Sequence, residues 1–308
     1  MPSKEQKRRA YIKAIRELIE RRGALEGAEV RKAKKLLERV RKAAAAELQG
    51  APSEFTKEWG ARMERALDDA FGEFAAKYGK SVGGAAKETA EEAAEGLARA
   101  VKDFGLEVGS LPRISLAQVE AAQAVTVDWA KSVAAEKAAK VAEQIRTAML
   151  GGMTPSELIN AIVPSVKGSK PLREALNVSE MIARTQLNQG SQLGGQLRMG
   201  QMAKKAEIEK AWLWSGVQRV THSLANGQRR AVDAPYDVGE EKLMFPCDPS
   251  GSPGNIIFCG CVSIPYVPAL EESIQEIVQA QACLVHTLPS RLSRRPFAGL
   301  ERVFALAA

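Results

Sequence analysis

Three of the chain's four cysteines, Cys247, Cys259 and Cys261, fall within residues 245–261. That stretch, Phe-Pro-Cys-Asp-Pro-Ser-Gly-Ser-Pro-Gly-Asn-Ile-Ile-Phe-Cys-Gly-Cys, also holds three of the fourteen prolines. One of the two histidines, His222, lies upstream of it. Thiolate sulfur and imidazole nitrogen are the donors that close a tetrahedral Zn²⁺ site, and four such donors make the site structural rather than catalytic. His222, Cys247, Cys259 and Cys261 are therefore candidate ligands of a structural zinc ion, which would add folding energy to a small module with little core of its own. The spacing departs from ordinary zinc modules. Cys259-Gly260-Cys261 puts one residue between the thiols where two are usual.

Two other readings of the same residues stand beside zinc. His222 can hydrogen-bond a loop carboxylate such as Asp233 or Asp237 while the cysteines pack as small hydrophobes. Cys247 can also pair with Cys259 or Cys261 as a disulfide, which needs an oxidising environment. Covalent catalysis by a Cys–His pair is disfavoured, because a Pro-rich loop supplies no evident oxyanion donors. Neither a paired-carboxylate nor a Ser-His-Asp pattern stands out, so the chain reads as a non-enzyme. Cys283 and His286 have metal-like spacing on an expected helix and read as incidental. Gly79-Lys80-Ser81 imitates the tail of a phosphate loop, but Phe74 occupies the position of the required glycine and no strand precedes it.

The elements that must position these residues are mostly helical. Tyr11, Ile15, Leu18 and Ile19 give a helix over 4–22 that Gly23 is expected to break, and a second helix is expected from about 27 to 48. Trp59, Met63, Leu67, Phe71 and Phe74 form an apolar stripe at helical spacing and read as core. An interruption is expected at 78–84, then an Ala-rich helix to 104. Ser115-Leu-Ala-Gln118 and Thr154-Pro-Ser-Glu157 are capping boxes that open helices. A further helix is expected from about 172 to 206, with Gly194-Gly195 as a possible kink point. Beyond 207 the texture changes. Residues 211–215 and 262–266 read as strands, the latter at a sheet edge because it contains Pro265. Arg219 to Ala225 reads as a helical turn, and Asn226-Gly227 as a tight turn.

The fold class expected is α+β, mostly α, with a long helical N-terminal region and a small α+β module. Its segments are a basic helical arm (1–50), a helical body (51–206), the module (207–268), and a helix with a basic tail (269–308). Net charge is +7 over 308 residues. Residues 1–50 hold 15 Lys and Arg against 7 Asp and Glu, so the basic excess belongs to this arm and the remainder sums to −1. A basic helix can neutralise nucleic-acid phosphates in a salt-sensitive way. It can equally be a solvated face laced by i,i+4 pairs, and no aromatic platform accompanies it. No apolar run approaches the roughly 18 residues of a membrane span, and the basic start has no apolar core of a secretory signal behind it. A reducing cytoplasm is the expected first compartment.

In their order, the residues from about 182 to 266 resemble the phage Mu F-like / SPP1 minor head protein family, the head morphogenesis proteins of tailed bacteriophages. The family's "ARTE" helix appears as Ala183-Arg-Thr-Gln186, its "kkW" strand as Lys210-Ala-Trp212, and its "R..H..l.G" as Arg219 through His222 to Gly227. Its "D.P" appears as Asp233-Ala-Pro235, its "yPgdp" as Phe245-Pro-Cys-Asp-Pro249, and its "nCrC" as Phe258-Cys-Gly-Cys261. Gln186 replaces Glu, Cys247 replaces Gly, and Phe258 and Gly260 replace Asn and Arg. His222, Cys259 and Cys261 are the groups the pattern shares. The resemblance implies a minor capsid protein inside the virion at the portal vertex, acting in head assembly and DNA packaging or ejection. The partners it implies are the portal protein, the major capsid protein or scaffold, and packaged double-stranded DNA met by the basic arm, with no membrane. Two alternatives remain open: a zinc-stapled nucleic-acid-binding protein, and the delivery module of a MuF-type effector, against which the roughly 40 residues after 268 count as too short for an ordinary catalytic domain.

Overall fold

A computed structural model describes residues 3–52, 56–154, 157, 170–216 and 218–267. The fold is mostly helical α+β. Four long helices, α1 (Lys4–Gln49), α2 (Lys57–Phe104), α3 (Ala117–Leu150) and α4 (Lys170–Ala203), precede a small mixed region. That region runs β1 (Glu209–Leu213), α5 (Val220–Ala225), β2 (Arg229–Ala231), β3 (Tyr236–Val238), β4 (Glu241–Leu243), α6 (Pro253–Ile256) and β5 (Val262–Tyr266). Among the described residues no helix is long and apolar enough to cross a membrane. The expected terminal helix and basic tail (269–308), with Cys283 and His286, lie outside the described residues, as does the helix expected after Thr154.

Two of the expected helix breaks are absent. Helix α1 runs through Gly23 and α2 runs through the glycines at 79, 83 and 84. A glycine inside a helix costs about 1 kcal/mol relative to alanine. Burial of the flanking apolar faces outweighs that cost: Tyr78 and Val82 are fully buried beside those glycines. Helix α1 opens with a capping box that the sequence reading missed, in which Ser3 Oγ accepts from Gln6 N at 3.2 Å and Ser3 N donates to Gln6 Oε1 at 2.8 Å. The box expected at Thr154 is present, with Thr154 N donating to Glu157 Oε2 at 2.8 Å and Glu157 N to Thr154 Oγ1 at 3.3 Å.

The described residues divide into two compact units that are not consecutive segments: those within 3–24, 86–119 and 184–267 in one, those within 25–85 and 120–183 in the other. Sequence boundaries at 50 and 206 follow the chain, and these units do not. The second unit is helical. Trp59, Met63, Leu67, Phe71 and Phe74 are buried in it as expected. Phe74 stacks on Tyr78 at 5.6 Å, and the Tyr78 hydroxyl donates to the Ser179 carbonyl at 2.6 Å.

The first unit carries the cysteines. Its sheet has the order β2-β1-β5, all antiparallel, with Glu209 opposite both Ala231 and Tyr266, and a separate hairpin pairs β3 with β4. Strand β5 is thus an edge strand, which tolerates Pro265. Its carbonyl oxygen accepts the Tyr11 hydroxyl at 2.6 Å. The residues expected to form a basic arm are built into this core. Tyr11, Ile12, Ile15 and Ile19 are buried with Ala211, Leu213, Val262, Ile264 and Tyr266. Helix α4 runs unbroken through Gly194 and Gly195. Gly194 serves close approach instead, since a Cβ at Gly190 or Gly194 would run into the Ala86 or Ala90 backbone of α2.

Candidate metal centre

Strand alternation sets up the site. Successive side chains of a strand point to opposite faces. Ala211 and Leu213 therefore enter the helix-packed core, while Trp212 enters a second cluster with Trp214, Ala225, Tyr236, Val238, Leu243, Cys247, Cys259 and Cys261. Helix α5 is a short turn whose position is fixed downstream. Asn226 (φ −58°, ψ 128°) and Gly227 (φ 79°) form a type II turn closed by Gln228 N on the Ala225 carbonyl at 3.0 Å. The Asn226 side chain accepts Trp214 N at 2.9 Å. His222 is thereby held fully buried, with the Trp212 ring edge-on at 5.7 Å.

The loop that carries the cysteines is shaped by one carboxylate. Asp248 accepts Met244 N at 2.7 Å, Ser250 N at 2.9 Å and the Ser250 hydroxyl at 2.7 Å. Ser252 then leads into the single turn of α6, and Cys259 N donates to the Ile256 carbonyl at 3.2 Å. Two residues in this loop adopt left-handed backbone without being glycine: Cys247 (φ 63°) and Phe258 (φ 55°).

The result brings three of the four expected ligands together. His222 Nδ1 lies 3.6 Å from Cys259 Sγ and 3.4 Å from Cys261 Sγ, and the three donor atoms are mutually within 4.8 Å. Metal–sulfur bonds of about 2.3 Å and metal–nitrogen bonds of about 2.0–2.1 Å at tetrahedral angles require an N···S edge of about 3.6 Å. The spacing observed is that edge. His222, Cys259 and Cys261 could thus hold a metal ion. Cys247 adjoins Cys259 but its sulfur stands outside the mutual set. All three cysteines are free thiols and buried, so the disulfide alternative is not realised in this structure. The carboxylate alternative fails as well. Asp233 is exposed, and Asp237 pairs with Arg230 at 2.6 Å and with Lys242.

Electrostatics single out Cys259. Burial opposes its ionisation, but the neighbouring thiols of Cys247 and Cys261 and the His222 imidazole outweigh burial and hold it well below the ordinary thiol range. Burial, reinforced by Cys259, pushes Cys247 and Cys261 up. One low-lying thiolate beside an imidazole is the starting point for capturing a cation, because the thiolate is the form that ligates. His222 Nε2 is buried without a hydrogen-bond partner. Its other nitrogen faces the sulfurs, so the ring is placed for them and not for a carboxylate.

Several residues here escaped the sequence reading. Thr185, Asn188, Gln189 and Gln192 are buried on one face of α4 at i, i+3, i+4, i+7. They take the loop's backbone groups: Thr185 accepts Phe258 N at 3.1 Å, Gln189 donates to the Cys247 carbonyl at 3.2 Å, and Gln192 accepts Ser263 N at 2.7 Å. Asn188 Nδ2 reaches the Cys259 carbonyl at 2.6 Å. The signal was available as a polar stripe at the spacing where a packed helix has apolar residues. The burial of Lys210, matched above only as a strand residue, was also missed. Lys210 is fully buried, donates to the Met244 carbonyl at 2.7 Å and lies 5.0 Å from the Tyr236 ring centre.

No family model, curated protein or solved structure matches this chain.

Proposed function

We propose that the chain is a minor head protein of a tailed bacteriophage, a non-enzymatic component of the capsid interior that works with the portal in head assembly and DNA packaging or ejection. In this reading His222, Cys259 and Cys261 hold a zinc ion whose role is structural. The ion fixes the loop so that the helices packed around it present a constant surface to portal, capsid or scaffold subunits and to packaged double-stranded DNA.

One observation carries the resemblance beyond a match of letters. The two non-glycine residues with left-handed backbone among the described residues are Cys247 and Phe258. They occupy the two positions where the Mu F-like pattern has Gly and Asn, the residue types that adopt this backbone most readily. The pattern's residues at these sites thus have a conformational reason that this loop shares. Convergence of the shared groups His222, Cys259 and Cys261 on one point supports the same reading.

Quantitative mass spectrometry of purified particles of the encoding phage tests it. A few copies per particle, comparable to the portal and far below the major capsid protein, are expected. Absence from particles at every stage of assembly sinks the proposal and returns the zinc-stapled nucleic-acid binder as the leading reading.

A further inference from the structure

Asn188 touches all three cysteines with one amide group. Its Nδ2 lies 3.2 Å from Cys247 Sγ, 2.6 Å from the Cys259 carbonyl and 3.2 Å from the Cys261 carbonyl. The orientation of that amide is fixed from behind. Asn188 Oδ1 accepts from Arg22 Nη1 and from Gln192 Nε2, the latter at 3.4 Å, so the oxygen must face the donors and the N–H groups must face the Cys247 sulfur and the Cys259 and Cys261 carbonyls. Arg22 in turn reaches the Gly260 carbonyl, between Cys259 and Cys261, at 3.4 Å.

Cys247 is the sulfur this arrangement serves. It is fully buried, and it keeps a β-carbon on left-handed backbone where glycine would be unstrained. Such strain persists where the surrounding structure and the function of the side chain hold it. A side chain that only filled space could be dispensed with at this position. N–H···S contacts from an outer amide are also the kind of bond that orients and stabilises a metal thiolate.

We propose that Asn188 holds Cys247 as a third thiolate beside the His222–Cys259–Cys261 set, close enough for a side-chain shift on ligation to complete a three-cysteine, one-histidine metal centre. The inference rests on the metal reading above. The Cys247 thiol donates to the Cys259 carbonyl at 3.3 Å. Ligation exchanges that S–H bond for a metal–sulfur bond, releases the proton to solvent, and leaves the sulfur to accept from Asn188. Three soft sulfurs and one imidazole suit zinc and Co²⁺ in tetrahedral geometry and leave no open position for catalysis.

The test is Co²⁺ titration of the full chain, read by its ligand-field and sulfur-to-metal charge-transfer absorption. The wild type should give a tetrahedral spectrum with three thiolates' worth of charge transfer. Cys247→Gly should drop that intensity to two thiolates' worth and weaken Co²⁺ binding, while the metal-free variant melts no lower than the metal-free wild type. Asn188→Asp keeps an oxygen for Arg22 but removes the N–H donor from the sulfur. It should shift the charge-transfer band to lower energy and weaken Co²⁺ binding by roughly 10–100-fold, the usual cost of losing an outer-shell partner. A role in folding alone would leave the band where it is. Cys247→Gly is read in parallel because it relieves backbone strain and so keeps the test open if Asn188→Asp does not fold. A wild-type spectrum with two thiolates leaves the metal reading standing and overturns this proposal, as does an unchanged band in Asn188→Asp. A wild-type chain that takes up no Co²⁺ overturns both.

Discussion

The two faces of strand β1 are built on different principles. On one face Ala211 and Leu213 meet Tyr11, Ile15, Leu97, Val101 and Met199 in an ordinary apolar core. On the other, Lys210 and Trp212 meet His222, three thiols, and a row of buried amides from α4. The first face is stabilised by removing carbon from water and is indifferent to which shapes fill it, within limits. The second buries groups that destabilise unless each finds its partner. Adjacent residues of one strand therefore report on two kinds of stability, and in the proposed reading only the second depends on a bound metal ion.

The strongest way to break this contrast is Cys259→Ser. Cys259 is the thiol that its neighbours draw furthest down, and it is shared by every version of the site. A ligand present at a thousandfold over its dissociation constant stabilises the folded state by about 4 kcal/mol. Cys259→Ser should remove that stabilisation. Melting with and without a strong chelator checks it: the wild type should lose several degrees on chelation, and the variant should not respond. Equal responses in the two proteins sink the metal face of the comparison.

Leu213→Ala probes the other face. Deleting a buried leucine side chain costs about 2–5 kcal/mol through lost transfer energy and the cavity left behind. Denaturant unfolding should give this loss whether or not chelator is present. A loss that grows when metal is bound would show that the two faces are energetically one.

Much of the apolar packing in each unit was legible before the structure. The stripe from Trp59 to Phe74, the strands near 211–215 and 262–266, and the edge position of Pro265 all follow from period and residue type. What the sequence hid was the partner of each stripe. Counting charge along residues 1–50 suggests a detached arm, because nothing local reveals that Tyr11 reaches Pro265 across the chain. The glycine positions misled for a related reason, since a local propensity of about 1 kcal/mol loses to burial. On the site face, Cys and His announce themselves because few other roles suit them. Asn188 does not. Amides in a helix ordinarily face water, and its contacts to Cys247, Cys259 and Cys261 span 59 to 73 residues of sequence.

Lys210 sharpens the comparison by a smaller amount and through pH. Burial pushes its pKa down to about 8, and the nearby Asp233 and Asp248 carboxylates offset only part of that. In the unfolded chain the ordinary value is about 10.4. Between those limits the unfolded state binds more protons than the folded one, so stability rises with pH across this window. Below pH 8 both states are protonated and the group contributes no slope, but its charge is held at a cost of roughly 3 kcal/mol. Lys210→Met keeps the apolar stem and removes the charge. Denaturant midpoints measured from pH 7 to 10.5 should therefore rise more steeply in the wild type than in the variant, with the two curves parallel below pH 8. Every other side chain is common to both proteins, so the difference isolates Lys210. A variant that tracks the wild type throughout would mean that the Met244 carbonyl and the Tyr236 ring already compensate the buried charge. The pH dependence of the site face would then owe nothing to Lys210.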